Sequence, residues 1–276
     1  MNSIFRRKPE TYQENPNLVR WIQEDPSNPL HQIANLIDSG KVLDVGCGTG
    51  ILGRMFLNNE KIEIHGVDPG VPSDHPGIIG YHAFHSCGIE ELIKSEGIDS
   101  YDWLVLADVI EHFPYPDELL HLLAQHTKPE CKFVISTPNV AYLTTRLDLL
   151  AGRFDYVPSG ILESTHMRLC TFSTLNKIVQ SAGLSMDRAT FLNRMPVLNG
   201  EAARHRARLF LGPLLGGNDP NLLTYQFLVV LKKADQNATS GQTVTTVVGP
   251  AGKSDLYRAL LSDGVRRLKQ KIAFWR

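Results

Sequence analysis

Short apolar runs alternate with stretches of helical period along residues 30–233 of the chain. The runs are rich in β-branched and aromatic residues, as strands are, and the stretches between them repeat apolar residues every three or four positions, as helices do. Seven strands are predicted, at 41–45, 62–68, 81–84, 103–107, 132–137, 185–192 and 224–231, with helices at 30–38, 51–57, 90–95, 119–126 and, capped by Ser173, 173–182. Because parallel strands need helical crossovers, this alternation predicts an α/β fold whose mostly parallel sheet is covered on both faces.

The pattern changes outside this region and divides the chain into four parts. Residues 1–29 are polar and proline-rich and are predicted to form an N-terminal arm or lid, whereas residues 30–233 form the main domain. Residues 234–254 are rich in glycine, threonine and serine and are predicted to be a linker, although 244–248 also has the composition of a short strand. Residues 255–276 are predicted to form an amphipathic helix.

This C-terminal helix combines an apolar stripe with a local excess of basic residues. One interpretation is a docking surface for a protein partner or for a second copy of the chain, which would give a homo-oligomer. The other is an interfacial helix that lies on an anionic membrane. We favour the first interpretation, because any packed surface helix needs such a stripe.

The composition is that of an ordinary soluble globular protein, with 42% hydrophobic and 21% charged residues. A formal net charge of −1 and the lack of a basic stretch interleaved with aromatic residues argue against nucleic acid as a partner. No apolar run has membrane-spanning length and no signal-peptide core follows the N-terminus, so neither an integral membrane segment nor secretion is expected. The four cysteines form no C-x-x-C pair and predict reduced thiols in a cytoplasmic protein: Cys47, Cys87, Cys131 and Cys170.

A glycine-rich turn follows the first predicted strand. Gly46, Gly48 and Gly50 stand at alternate positions directly before a predicted helix. Glycines at such a turn permit backbone angles closed to other residues, and they let a ligand approach main-chain N–H groups at the positive end of a helix. The turn is therefore predicted to bind a nucleotide-like ligand.

Two kinds of ligand can be proposed for this turn: a dinucleotide, or a nucleotide-like ligand that carries a positive or hydrogen-donating group. The segment 48–53 matches G-x-G-x-x-G, and Asp68 lies 20 residues after Gly48, where a dinucleotide fold places its ribose-binding acid. Asp44, however, is a carboxylate inside the apolar strand. Its burial is costly unless a positive or hydrogen-donating group meets it.

The segment 42–50, Val-Leu-Asp-Val-Gly-Cys-Gly-Thr-Gly, resembles motif I of class I S-adenosylmethionine-dependent methyltransferases. The resemblance covers residues 30–233 and includes further segments at 66–68, 102–112, 137–139 and 166–173. It implies a Rossmann-like three-layer sandwich whose seven-stranded sheet is mostly parallel with the last strand antiparallel.

The resemblance also implies an activity, the transfer of a methyl group from S-adenosylmethionine to a small-molecule acceptor at oxygen. The layout resembles methyltransferases of quinone, glycan and secondary-metabolite pathways, and a sugar or glycoconjugate hydroxyl is the expected acceptor. Residues 1–29, 139–170 and 194–223 depart from the sheet pattern and are expected to recognise it. The alternatives are an NAD(P)-dependent oxidoreductase and a non-catalytic binding or scaffold protein that keeps the fold.

The cofactor site follows from the same resemblance. The ammonium group of the cofactor gives Asp44 its partner, and Asp68 accepts both ribose hydroxyls. The family often has an acidic residue near the adenine, where this chain has His85-Ser86-Cys87-Gly88-Ile89-Glu90, so the adenine contacts are assigned to the backbone of 87–89. The expected cofactor-binding residues are Asp44, Gly46, Cys47, Gly48, Gly50, Asp68, Pro69, Cys87, Gly88, Ile89, Asp108 and Val109.

A second group of polar residues follows the fourth predicted strand. If a helical turn begins there, Asp108, Glu111 and His112 lie on one face of it. Together with His166 they resemble the metal-binding pattern of small-RNA and quinone-pathway methyltransferases, which implies a divalent ion such as magnesium, manganese or zinc.

Two other interpretations of this group remain open. In metal-free relatives an aspartate at position 108 lines the cofactor pocket, and the histidine at 112 caps local structure. Alternatively, His112 or His166 acts as the catalytic general base, because imidazole titrates near neutrality and can take the proton of an acceptor hydroxyl.

Overall fold

The computed structural model describes residues 17–194, 221–234 and 243–248. Eight strands in these ranges form one sheet in the order β3-β2-β1-β4-β5-β7-β6-β8. The strands are β1 Gly40–Val45, β2 Ile62–Val67, β3 Ala83–His85, β4 Trp103–Ala107, β5 Lys132–Pro138, β6 Leu184–Asn193, β7 Thr224–Lys233 and β8 Thr243–Val248.

The direction of the strands confirms the predicted fold class. Neighbours among β1 to β5 pair in parallel, β7 is antiparallel to both β5 and β6, and β8 is parallel to β6. The predicted antiparallel seventh strand is therefore present. The predicted count of seven strands is wrong, because the structure adds β8 at the edge of the sheet.

The eighth strand lies within the segment 234–254, which was expected to be a linker. Its residues pair in register with Arg188–Asn193 of β6. The β-branched run at 244–248 had also indicated a strand, but the polar composition around it favoured a linker. An unpaired edge of β6 offers a row of backbone hydrogen-bonding groups, and β8 satisfies them.

Seven α-helices accompany these strands in the described part of the chain. They are α1 Leu18–Glu24, α2 Pro29–Leu36, α3 Ile51–Phe56, α4 Ile89–Ser95, α5 Pro116–His126, α6 Leu143–Leu150 and α7 Phe172–Ser181. The helix α6 lies in the region 139–170, where the sequence showed no clear pattern. Thr171, not Ser173, is the N-cap of α7, because its side chain accepts a hydrogen bond from the Thr174 N–H at 3.2 Å.

Alternating side chains of the central strands enter two separate cores. Leu43, Leu104 and Phe133 lie in the core that includes buried residues of α4, α5 and α7. Val42, Val105 and Val134 lie in the opposite core with Ile33 of α2 and with Leu52 and Phe56 of α3. The sheet is therefore covered by helices on both faces, and this is why its central strands are nearly continuous apolar runs.

The order of the strands places a crevice at the carboxyl end of β1. The chain passes from β1 to β2 on one side of β1, and after β3 it crosses to β4 on the other side. Ligands of open α/β sheets bind where the strand order reverses in this way. The glycine turn at 46–50 follows β1, and the segment 108–112 follows β4. The sheet thus brings the two sequence-predicted groups to one edge.

Some predictions concern parts of the chain that are described in part or not at all. Within the predicted N-terminal arm, residues 17–29 hold α1 and the start of α2, and Asp25 forms an ion pair of 3.3 Å with Arg194 at the end of β6. The predicted C-terminal helix and most of the acceptor segment 194–223 lie outside the described residues. The four cysteines are free thiols, as predicted. None of the described helices has the length and apolar character needed to cross a membrane.

Candidate active site

The glycine turn has backbone angles that favour glycine. Gly48 and Gly50 have φ values of +53° and +79°. A Cβ atom on Gly50 would lie 2.2 Å from the carbonyl oxygen of Gly77, whereas one on Gly48 would meet no atom within 4 Å. Packing therefore requires glycine at position 50, and Gly48 faces open space that a ligand can occupy.

Asp68 is fixed by the backbone of this turn. One carboxylate oxygen accepts a hydrogen bond from the Gly48 N–H at 2.9 Å, and the other accepts from the Gly70 N–H at 2.7 Å. Each carboxylate oxygen has two lone pairs, so both can still accept a hydroxyl proton. The geometry is compatible with the ribose contact expected of Asp68.

Asp44 is buried behind the turn, with 4% of its surface exposed. The Tyr81 hydroxyl donates a hydrogen bond to its Oδ2 at 2.6 Å. Burial raises the pKa of the Asp44 carboxyl to about 7, and the negative charge of Asp68 adds to this effect. Burial likewise raises the pKa of the neighbouring Cys47 thiol, so this thiol is a neutral part of the wall and not a nucleophile.

The other predicted cofactor residues lie around this turn or further along the same edge. Val109 contacts the turn, since a Cβ on Gly46 would lie 2.9 Å from its Cγ2. Pro69 is exposed directly after Asp68. Gly88 is the N-cap of α4, with Cys87 and the buried Ile89 beside it, and all three follow β3 on the side of the sheet away from β4. The order of the strands thus places the expected adenine contacts beyond Asp68.

Asp108 has a strained backbone at the end of β4. With a φ of +56° it is the one non-glycine residue in the described ranges with a left-handed conformation. Its Oδ1 accepts hydrogen bonds from Ser136 Oγ at 2.9 Å and from Gln226 Nε2 at 2.8 Å. Burial raises the pKa of this carboxyl. The side chain is therefore directed by β5 and β7.

Three of the four predicted metal ligands form a compact cluster. One potential ligand atom from each of Glu111, His112 and His166 lies within 4.8 Å of those of the other two. Glu111 and His112 belong to the 3-10 turn Ile110–His112, which agrees with the helical turn expected there. Asp108 is outside this group, and its Oδ1 instead accepts hydrogen bonds from Ser136 and Gln226.

Both histidines of this cluster have Nδ1 beside a main-chain carbonyl oxygen, and Nε2 of His166 lies 3.9 Å from Glu163 Oε2. His112 Nδ1 lies 3.2 Å from the Thr165 carbonyl oxygen, and His166 Nδ1 lies 2.9 Å from the Ile161 carbonyl oxygen. A carbonyl oxygen only accepts, so Nδ1 carries the proton and Nε2 of the neutral ring keeps a lone pair. Burial, followed by the electrostatic influence of the adjacent His166 ring, lowers the pKa of His112, which favours the neutral form of His112.

One side-chain oxygen of Glu111 is unpaired as far as the described ranges extend. Only 1% of the residue is exposed, and Oε2 accepts a hydrogen bond from Thr137 Oγ1 at 3.2 Å, while no hydrogen-bond partner of the buried Oε1 is found among the described residues. Burial raises the pKa of this carboxyl well above its usual value, and the charge of Asp108 adds to the shift. A buried, unpaired oxygen beside two imidazoles indicates a place for a cation or a ligand hydroxyl.

Main-chain hydrogen bonds bring His166 to the end of β4. The Glu111 carbonyl oxygen accepts from the N–H groups of Met167 and Arg168 at 2.8 and 2.9 Å. This explains how a residue more than fifty positions further along the chain joins the cluster. The sequence suggested the association only through the family resemblance.

Comparison with known proteins assigns the family. A family model described as a methyltransferase domain matches residues 18–189. The human mitochondrial ubiquinone biosynthesis O-methyltransferase is 29% identical over 180 residues, which are 62% of this chain and 46% of that protein. The ubiquinone biosynthesis O-methyltransferase of Chromobacterium violaceum is 26% identical over 206 residues, 64% of this chain and 82% of that protein.

A solved structure shows the same fold. A SAM dependent methyltransferase from Archaeoglobus fulgidus superimposes with a TM-score of 0.52 at 18% identity, covering 75% of this chain and 92% of that one. The present chain therefore belongs to the methyltransferase-domain family, and its fold is that of a SAM dependent methyltransferase. It spans less than half the length of the human relative. The family favours S-adenosylmethionine over a dinucleotide as the ligand of the glycine turn.

Sequence reasoning missed the residues that hold the buried carboxyl groups. Tyr81 holds Asp44, Thr137 holds Glu111, and Gln226 holds Asp108. Thr137 lay in a segment of family resemblance without an assigned role. Tyr81 and Gln226 carried no signal, because their partners lie 37 and 118 positions away in the chain.

Proposed function

We propose that this protein transfers the methyl group of S-adenosylmethionine to a hydroxyl oxygen of a small-molecule acceptor. The cluster of Glu111, His112 and His166 carries the proposal, because it presents two lone-pair nitrogens and an unpaired carboxyl oxygen. O-methylation also stands in the names of the ubiquinone-pathway relatives. As acceptor we propose a sugar or glycoconjugate hydroxyl, with a phenolic hydroxyl as the competing class. Four free thiols suit a reducing compartment such as the cytoplasm.

The reaction needs little more than positioning and one proton acceptor. The acceptor oxygen attacks the methyl carbon, the carbon–sulfur bond breaks, and S-adenosylhomocysteine leaves. The proton of the hydroxyl passes to Nε2 of His112 or His166, whose Nδ1 is already occupied by a carbonyl partner. Asp44 and Asp68 hold the cofactor across the crevice, and this alignment contributes much of the rate.

Substitution of each histidine tests the proposal. His112→Ala and His166→Ala are expected to lower turnover by about a hundredfold or more, because a positioned base contributes that much. The assay measures S-adenosylhomocysteine production with sugar, glycoconjugate and phenolic acceptors, and titration of S-adenosylhomocysteine checks that cofactor affinity is unchanged. His121→Ala is the matched control, since His121 lies on α5 with its Nδ1 facing the Ala182 carbonyl.

Two results would contradict the proposal. If both histidine variants keep wild-type turnover, neither histidine is the base. If the wild-type protein binds S-adenosylhomocysteine but consumes S-adenosylmethionine with no acceptor, the chain is a binding protein that keeps the fold.

A divalent ion is a second candidate for the same cluster, and the unpaired Glu111 Oε1 is the observation that favours it. Oxygen and imidazole ligands suit magnesium, manganese or zinc, and a metal-ligating histidine usually donates its other N–H to a carbonyl, as both histidines do here. Glu111, His112 and His166 would hold the ion. A bound ion lowers the pKa of a coordinated hydroxyl.

Metal analysis separates this candidate from a metal-free base. The purified protein is analysed for metal content before and after chelation, and thermal unfolding is followed as each ion is added. Stabilisation by an ion that is lost in Glu111→Gln supports the metal site. Full turnover after complete removal of metal would contradict it.

A further inference from the structure

We infer that Tyr81 is the positioning residue of the cofactor site, because its hydroxyl holds the Asp44 carboxylate where the carboxylate meets the cofactor ammonium group. The inference rests on the proposed function, since S-adenosylmethionine is the ligand that carries this group. Tyr81 itself touches Asp44 and the glycine turn, and it acts on the cofactor through them.

The Tyr81 ring forms the wall on which the glycine-rich elements pack. A Cβ atom would lie 3.2 Å from the ring if placed on Gly50, 3.0 Å if placed on Gly53 and 3.2 Å if placed on Gly66. These glycines belong to the turn, to α3 and to β2. The ring therefore fits only because three different elements lack a side chain on the face towards it, and this fixes the position of the hydroxyl.

The hydroxyl is a constant hydrogen-bond donor. Its distance of 2.6 Å to Asp44 Oδ2 is typical of a hydrogen bond to an ionised acceptor. Burial and the negative charge of Asp44 raise the pKa of Tyr81 well above its usual value, so the hydroxyl keeps its proton at physiological pH. The bond stabilises the ionised form of Asp44 against the cost of burial.

No cation faces Asp44 from the described elements around it. The titratable groups that act on its carboxyl are the Tyr81 hydroxyl and the carboxylate of Asp68, and the neutral Cys47 thiol lies beside them. With a pKa of about 7, the carboxyl is partly protonated at neutral pH. An ammonium group supplies the missing positive charge, so a ligand that carries one is expected to bind more tightly as the pH rises through neutrality.

Removal of the Tyr81 hydroxyl is expected to shift the pH dependence of ligand binding in a defined direction. In Tyr81→Phe the ring remains, but the ionised carboxylate loses its donor, so the pKa of Asp44 rises further. At neutral pH the affinity for S-adenosylhomocysteine is expected to fall about tenfold, and the pH at which binding tightens is expected to move upward.

The experiment compares two ligands by isothermal titration calorimetry between about pH 6 and pH 8. S-adenosylhomocysteine carries the ammonium group, whereas 5′-methylthioadenosine keeps the adenosine and the sulfur but lacks it. Wild-type protein, Tyr81→Phe and the control Tyr101→Phe are titrated with both. Tyr101 precedes β4, at the opposite end of that strand from Asp108. It is also buried, and its hydroxyl lies 2.9 Å from His65 Nδ1.

The expected result is a loss confined to Tyr81→Phe and to the ligand with the ammonium group. Equal losses for both ligands would show a merely structural role, and an unchanged pH profile in Tyr81→Phe would overturn the inference. Failure of the wild-type protein to bind S-adenosylhomocysteine would instead overturn the proposed function. Thermal unfolding of each variant verifies that it is folded.

Discussion

Two buried carboxyl groups at the carboxyl edge of the sheet differ in how they are satisfied. Asp44 on β1 meets the Tyr81 hydroxyl at 2.6 Å. Glu111, just after the adjacent strand β4, meets the Thr137 hydroxyl at 3.2 Å, and its Oε1 has no hydrogen-bond partner in the described part of the chain. The proposed cofactor half of the site is therefore held by a hydrogen bond within the protein, whereas the proposed acceptor half keeps an open position.

The difference assigns cofactor binding to one half of the site and the reaction to the other. The cofactor is the same in every turnover, and a preorganised carboxylate lowers the free-energy cost of binding it. The reacting hydroxyl, or an ion that activates it, must enter and satisfy the open oxygen. We therefore expect substitutions in the first half to change cofactor affinity and substitutions in the second half to change turnover.

Among the variants that test this comparison, Asp44→Asn is expected to have the largest effect, a loss of affinity for S-adenosylhomocysteine. The ammonium group of S-adenosylhomocysteine loses its buried partner, so the dissociation constant is expected to rise on the order of a hundredfold. Titration calorimetry measures it, with Asp38→Asn as an exposed control before β1. An affinity within a factor of about three of the wild type would show that Asp44 is not the ammonium partner.

The same variant is expected to stabilise the ligand-free protein. The pKa of about 7 in the folded state lies above the ordinary value of 3.8, so between these values the folded protein keeps a proton that the unfolded chain has lost. Folding stability contributed by this group therefore falls as the pH rises through this window. At slightly alkaline pH, Asn at this position is expected to raise the free energy of unfolding by about 2 kcal/mol, as measured by thermal unfolding without ligand.

Glu111→Gln tests the other half and is expected to show the opposite division. The amide keeps the shape of the side chain but cannot act as an anionic ligand, so turnover is expected to fall about ten- to a hundredfold. Affinity for S-adenosylhomocysteine is expected to stay unchanged. Glu96→Gln is the control, because Glu96 pairs with His85 near the end of α4 and is largely exposed. A change in cofactor affinity alone would contradict the division into two halves.

The pH dependence of the reaction sharpens the comparison further. The lowered pKa of His112 keeps its ring neutral below the ordinary value of 6.5, so turnover at saturating cofactor is expected to fall only below that pH. At limiting cofactor concentration, the protonation of Asp44 weakens cofactor binding, so the rate is expected to fall already below about pH 7. Steady-state rates measured against pH at both cofactor concentrations show whether the rate falls at two different pH values. A fall at the same pH under both conditions would contradict separate titration of His112 and Asp44.

The sequence predicted the first half of this site better than the second because its signals are local. Asp44, the glycine turn and the end of β2 lie on consecutive strand–turn segments, and the fold brings them together in chain order. The strands of the parallel core were also predicted within a few residues, since their apolar runs are continuous. The contacts of Tyr81 and Gln226 depend on packing between distant elements, which no periodicity records.

The elements that were missed are those whose formation depends on neighbours. Strand β8, Thr-Val-Thr-Thr-Val-Val, lies within a glycine- and serine-rich segment and pairs with the open edge of β6. Helix α6 has a weak apolar face, and its N-cap Tyr142 makes no side-chain capping bond that would mark its start. Local composition predicted neither a helix start nor a firm strand at these two places.

Thr137→Val gives the smallest expected effect and is the finest test of the comparison. The valine side chain keeps the volume of threonine but cannot donate to Glu111 Oε2, so this buried carboxyl would lose its side-chain donor. A single neutral hydrogen bond is worth about 1 kcal/mol, so turnover is expected to fall about two- to fivefold, with cofactor affinity unchanged. Thr127→Val is the matched control, because Thr127 is also buried but its hydroxyl donates to the Leu123 carbonyl at the end of α5. If Thr137→Val lowers stability as the control does but leaves turnover unchanged, the Glu111 carboxyl is held by burial alone and its orientation does not limit the reaction.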